Sequence, residues 1–265
     1  MFELFQRPTV FAHRGASHDA PENTLAAFEL AVHLGAEAIE LDAQLSADKQ
    51  VVVIHDHTVD RTTDGSGRVS DLQLATLKQL DAGGYFDSTF RGERIPTLRE
   101  VFETLGQRIL INIELKNDSS IWDDLPAHVA QLVIQYKLQQ RVIFSSFNPI
   151  ALLKINRILP DTPCSLLALS GAKGAWACSW GYKALGCAGL HPDVSSVTAS
   201  LVRRVHQSGR RIHAYTVNEP EVIRQLLDLG VDGFFTDDSA LALSQVKTWR
   251  ENTKSSSGAR NMNKA

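Results

Sequence analysis

Short β-rich runs alternate with helical stretches along almost the whole chain, and nothing else in the sequence restricts the fold as much. The runs fall at 9–14, 38–44, 109–116, 142–147, 164–169, 189–193, 211–217 and 233–237, and the residues between them carry apolar positions at helical spacing. Asn23 is placed to cap a helix reaching Gly35, with Leu25, Phe28 and Val32 on one face. Thr97 and Glu100 form a capping-box pattern closed by Gly106, and Asn218 and Glu221 repeat the device ahead of Gly230. Such alternation predicts a parallel sheet. Eight repeats predict a closed (β/α)8 barrel, a TIM barrel, in one domain over 1–250. The polar, low-complexity segment 251–265 is expected to be a disordered tail.

Two segments break the rhythm. Residues 51–56 read as a strand, but only 46–50 separate them from the second barrel strand. A parallel neighbour needs a crossover of about a dozen residues, whereas an antiparallel hairpin does not. The run should therefore fold back as a β-hairpin after strand two, setting His55 opposite Leu41 and Asp42. Residues 57–95 then form a long insertion with a short helix at 72–80 and an aromatic piece at 83–90. Loops of this length are usually functional or disordered, and the aromatics favour an ordered cap over the barrel mouth.

With 43% hydrophobic and 22% charged residues, a sizeable core is available. A net charge of −3 argues against a nucleic-acid partner, and the pairs Arg203-Arg204 and Arg210-Arg211 read as solvated helix ends. No run of about 18 apolar residues predicts a membrane span. The N-terminus lacks the pattern of a signal peptide, and Cys164, Cys178 and Cys187 lack CxxC spacing. Both features fit a cytoplasmic protein with reduced thiols. A homo-oligomer is compatible with all of this.

Function in such barrels collects at the C-terminal ends of the strands. Those positions hold His13 and Arg14 on strand one, Glu40 and Asp42 on strand two, His55 and Asp56 on the hairpin, and Asn112, Glu114 and Lys116 on the next barrel strand. Strand side chains alternate with period two, so Glu40 and Asp42 share a face, as do Asn112, Glu114 and Lys116. A structural ion-pair layer is the competing reading. However, Glu40, Asp42 and Glu114 beside a single lysine leave excess negative charge that a hard divalent cation would neutralise. Oxygen ligands point to Mg²⁺ or Ca²⁺ rather than Zn²⁺. Arg14, followed by Gly15, suits recognition of phosphate oxygens. The histidine side chain titrates near neutrality, so His13 and His55 can exchange proton roles across a phosphoester. Glu22 can reach His13 or a ligand, and Phe147 and Tyr215 can form an apolar wall at the rim. His191 is a further candidate for the mouth, while His33, His128 and His206 read as surface residues.

The ordered series HRG, PENT, ELD, VVVIHDHTVDRTTDGSG, IPTL, NIELK, SSFN, YTVN and GVDGFFTD resembles the glycerophosphodiester phosphodiesterases, from about residue 11 to 237. The resemblance implies a TIM barrel with a capping insertion at 57–95. It also implies hydrolysis of small glycerophosphodiesters to glycerol 3-phosphate and an alcohol. Carried over by motif, His13 and His55 are the catalytic histidines, and Glu40, Asp42 and Glu114 are the metal ligands. The same resemblance implies Arg14 and Lys116 as phosphate binders, and Glu22 matches the acid of the ENT motif. Tyr215 departs from the tryptophan that family members often carry before TVN, which bears on the preferred alcohol. The rival readings are a lysophospholipase D-like enzyme acting on lysolipids and a non-catalytic ligand-binding barrel.

Overall fold

The computed structural model describes residues 2–117 and 122–262. Its strands are β1 (Thr9–Ala12), β2 (Ala38–Leu45), β3 (Val51–Val53), β4 (Leu110–Leu115), β5 (Val142–Ser146), β6 (Cys164–Ala168), β7 (Gly189–Pro192), β8 (Arg211–Ala214) and β9 (Gly233–Thr236). They pair in the order β1-β9-β8-β7-β6-β5-β4-β2-β3, and β1 also bonds β2. That last pairing, Phe11 with Ala38 and Ala12 with Ile39, closes the ring. All pairs are parallel except β2 with β3. The structure is the expected eight-stranded TIM barrel with a hairpin appended to β2.

The hairpin register sets Ala43 opposite Val53 and Leu45 opposite Val51. Counting on places His55 opposite Leu41, as the sequence predicted. Gln44 fixes the outgoing end, since its side-chain amide donates to the carbonyls of Ile54, His55 and Asp56 at 2.8, 3.1 and 2.8 Å. The insertion is ordered by a small core of its own, in which Val59, Val69, Leu77, Ala82 and Ile95 pack on Val52 and Ile54.

Outward-facing residues such as Ile39, Leu41, Ile111 and Ile113 bury against the surrounding helices in the main core. Inside the ring, Phe11, Ala38, Leu110, Ile143 and Phe235 form a second cluster with Phe5. Arg211 also differs from expectation. It donates to the carbonyls of Phe5 and Phe2 at 2.8 and 3.0 Å and lies 4.6 Å from the Phe2 ring centre. It thus fastens the N-terminal aromatics to the barrel instead of ending a solvated helix.

The Thr97–Glu100 capping box is formed as read, and Gly230 ends its helix in the left-handed conformation. Neither Asn23 nor Asn218 caps. Thr24 caps the helix Leu25–His33, and Glu219 precedes the helix Pro220–Leu229, whose proline presets the first turn. The last helix, Ser239–Met262, continues through most of the segment expected to be disordered. Once a helix is nucleated each added residue gains a backbone hydrogen bond, and no proline interrupts this one. Residues 263–265 of that segment lie outside the described residues.

Candidate active site

A cavity of about 200 Å³ opens at the C-terminal ends of the strands. His13, Arg14, Glu40, His55, Asn112, Glu114, Lys116, Phe147 and Tyr215 are among its lining residues. Of the remaining candidates, Asp42 lies within the carboxylate cluster and Glu22 stands just outside, bonded to Arg14. Strand, hairpin and helix-leading segments thus converge on one place.

Each histidine has a carboxylate behind it. His13 Nδ1 lies 2.6 Å from Asp237 Oδ1, and His55 Nδ1 lies 2.6 Å from Asp56 Oδ1. A carboxylate at Nδ1 fixes the ring's orientation and leaves Nε2 for chemistry. His13 Nε2 is 4.0 Å from Glu40 Oε2, and His55 Nε2 is 3.3 Å from Lys116 Nζ. Burial lowers the basicity of His55, and the nearby Arg14 and Lys116 push the same way against the pull of Asp42 and Asp56. Asp237 is held ionised despite burial by His13, Asn218 and Ser17.

The carboxylates of Glu40, Asp42 and Glu114 offer oxygens that all lie within 4.8 Å of one another. Glu40 and Asp42 are buried. Burial and repulsion from Asp42 and Glu114 raise Glu40 well above the usual carboxylate range. Burial, opposed by Lys116, raises Glu114 to about 7. Asp42 stays low despite its burial because Arg14, His55, Lys116 and Asn23 favour its anion. Carboxylates pushed up in this way carry more buried negative charge than Arg14 and Lys116 offset, and an oxygen-only donor set fits a hard divalent cation. The residues present therefore suit the metal that the family resemblance implies.

Arg14 adopts a positive φ of 57° and Gly15 one of 86°. A side chain at Gly15 would meet Ala27 backbone atoms at 2.7 Å, so the glycine serves the approach of the first helix. The sharp turn sends the Arg14 amide to Glu40 Oε2 at 3.0 Å and its guanidinium to Glu22 at 2.8 Å and Asp42 at 3.4 Å. Lys116 Nζ lies 3.5 Å from Glu114 Oε1. On the far wall the Phe147 and Tyr215 rings meet edge to face at 6.1 Å, and the Tyr215 hydroxyl donates to the Ala168 carbonyl at 2.9 Å.

Several supports were not foreseen. Asn23 donates to Asp42 Oδ2 at 2.8 Å, and Asn218 donates to Asp237 Oδ2 at 2.7 Å. Asp237 follows the last strand, and its position alone could have flagged it. His191 is not at the mouth. It is buried deeper in the lumen, where His213 Nδ1 sits 3.0 Å from its Nε2 and Phe235 packs against its ring. His206 pairs with Asp232 at 2.8 Å.

Residues 13–241 match the Glycerophosphoryl diester phosphodiesterase family. This chain belongs to that family. A glycerophosphodiester phosphodiesterase of Caldanaerobacter subterraneus subsp. tengcongensis is 40% identical over 239 residues, covering 90% of this chain and 97% of the relative. Among solved structures, an Oleispira antarctica phosphodiesterase in complex with its product sn-glycerol-3-phosphate superposes with a TM-score of 0.84 at 33% identity. That comparison covers 91% of this chain and 97% of the other. A glycerophosphodiester phosphodiesterase from Agrobacterium tumefaciens matches at 31% identity and a TM-score of 0.79, over 89% of this chain and 99% of its own. Members of the family are phosphodiester hydrolases, and this chain is an enzyme of that class. No helix among the described residues is long and apolar enough to cross a membrane.

Proposed function

We propose that the protein hydrolyses small glycerophosphodiesters to glycerol 3-phosphate and an alcohol, with His13 and His55 as its acid–base pair and a divalent metal at Glu40, Asp42 and Glu114. The observation that carries this reading is the pairing of each histidine Nδ1 with a carboxylate at 2.6 Å on the rim of one cavity that also holds the acidic cluster.

A phosphodiester is anionic and repels nucleophiles, so charge neutralisation carries much of the rate. Arg14 and Lys116 bind the non-bridging oxygens. Mg²⁺ or Ca²⁺ bound by the three carboxylates would add further positive charge there. One histidine takes the proton of the attacking hydroxyl as its oxygen bonds to phosphorus. The other donates a proton to the alcohol oxygen as its bond to phosphorus breaks. The attacking hydroxyl belongs to water or to the substrate's own glycerol, which would give a cyclic intermediate. Phe147 and Tyr215 wall the site beside the substrate. The cytoplasm is the proposed compartment, since reduced thiols such as Cys164 and Cys187 suit a reducing environment.

The test is release of glycerol 3-phosphate from several headgroup diesters, with EDTA and then with Mg²⁺ or Ca²⁺ restored. Turnover lost with EDTA and regained with metal is the expected result, and a binding barrel would show none. Exposed Tyr85 and Phe86 on the insertion favour a second reading, action on lysolipids. Faster release from lysophosphatidylcholine than from glycerophosphocholine would select it.

A further inference from the structure

His55 and Arg14 sit on different elements, yet one side chain ties them together. Arg61 Nε donates to Asp56 Oδ2 at 2.6 Å, and its Nη2 reaches Oδ1 at 3.2 Å. On its other edge, Nη1 and Nη2 donate to Glu22 Oε2 and Oε1 at 2.7 and 2.8 Å. Asp56 Oδ1 in turn holds His55 Nδ1 at 2.6 Å, and Glu22 Oε1 holds Arg14 Nη1 at 2.8 Å. A rigid planar fork therefore grips two carboxylates, each of which grips a residue of the cavity rim.

Arg61 belongs to neither a barrel strand nor the hairpin, and it does not line the cavity. It opens the capping insertion. A solitary exposed ion pair contributes little to stability. Bidentate contacts at both edges serve orientation better than they serve stability, because two parallel hydrogen bonds define a plane as well as a distance.

We propose that Arg61 is a positioning residue that sets the His55 imidazole and the Arg14 guanidinium in register across the mouth, so that proton transfer and phosphate binding are tuned by one contact from the cap. The inference rests on the reading of His55 and Arg14 given above. Lysine is a compact point charge and cannot hold both carboxylates in one plane.

The experiment measures glycerol 3-phosphate release by full-length, metal-loaded Arg61→Ala and Arg61→Lys, beside Asp56→Asn, His55→Ala, Arg14→Ala and the double variant Arg61→Ala/Asp56→Asn. Arg61→Ala is expected to lower kcat and raise KM together, with kcat/KM down about 10–100-fold. Arg61→Lys should stay impaired, and methylguanidine should restore part of the Arg61→Ala rate. In the double variant kcat should fall no further than in Asp56→Asn. Wild-type kinetics in Arg61→Ala with a silent His55→Ala would overturn the inference alone. Full recovery by lysine, or a rate loss that merely follows a lowered Tm, would also overturn it. Near-normal turnover in His55→Ala and Arg14→Ala would instead overturn the reading beneath it. If Arg61→Ala does not fold, Arg61→Lys and Asp56→Asn carry the same comparison.

Discussion

Two histidine pairs face the inside of this barrel, and they are held in contrasting ways. At the mouth, His13 and His55 each rest Nδ1 on a carboxylate and turn toward a cavity rich in charge. Deeper in, His191 and His213 bond one another beside Phe11 and Phe235, with His191 Nδ1 and His213 Nε2 unpartnered among the described residues. Burial drives His191 down to about 3, and burial with help from His191 and Arg211 drives His213 well below its ordinary value. The deep pair is thus kept neutral, with no carboxylate among the described residues bonded to either ring. The same residue type serves proton transfer where a counter-charge and a cavity meet it, and fills space where aromatics do.

The sharpest break of that comparison is to remove one ring at a time. His13→Ala and His55→Ala should each lower kcat by about 10²–10⁴-fold with Tm little changed, as read by product release and thermal melting. His191→Asn should leave turnover at neutral pH near wild type, because the ring does not reach the cavity. A large loss there would erase the distinction between the pairs.

The supports come next. Asp56→Asn and Asp237→Asn should each cost about 10–100-fold in kcat/KM, since each leaves a ring in place but unoriented. Unequal losses would show which histidine's proton transfer limits the rate.

Acid stability separates the pairs more gently. The folded His191 value of about 3 lies below its ordinary 6.5, so the unfolded chain binds more protons between those limits. The stabilising contribution is complete above about pH 6.5 and is lost as pH falls toward 3. His213 adds in the same sense. Denaturant melts should show up to about 1.4 kcal/mol lost per pH unit for each such histidine, and His191→Asn should flatten that slope. The smallest effect lies far from both pairs. Thr97→Ala should cost about 1 kcal/mol through its capping box and leave kcat unchanged.

Much of this was legible in the sequence because it depends on local period. Strand alternation placed Glu40 with Asp42 and Glu114 with Lys116, and the short link at 46–50 predicted the hairpin that carries His55. Long-range partners were not legible. Asn23 and Asn218 stand before helical patterns, where an asparagine normally satisfies the helix's own amides. Each instead reaches a carboxylate 19 residues further along the chain. Arg61 lies in an aperiodic loop, so no spacing marked it. His191 looked available because strand period tells which face a side chain takes but not how deep in the lumen it lies.

The turn between β2 and β3 has a consequence of its own. It is pinned by Ser46, whose amide donates to the Gln50 carbonyl at 3.0 Å and whose hydroxyl accepts from the Gln50 amide at 2.9 Å, with Lys49 at a φ of 62°. A slip of one residue in an antiparallel pair exchanges the two faces of the strand. The turn is therefore a ruler. A single inserted or deleted residue there would exchange the face of Val51 and Val53 with that of Val52 and shift Ile54, His55 and Asp56 off the Gln44 amide that holds them, moving His55 from the mouth while every barrel strand stayed in place.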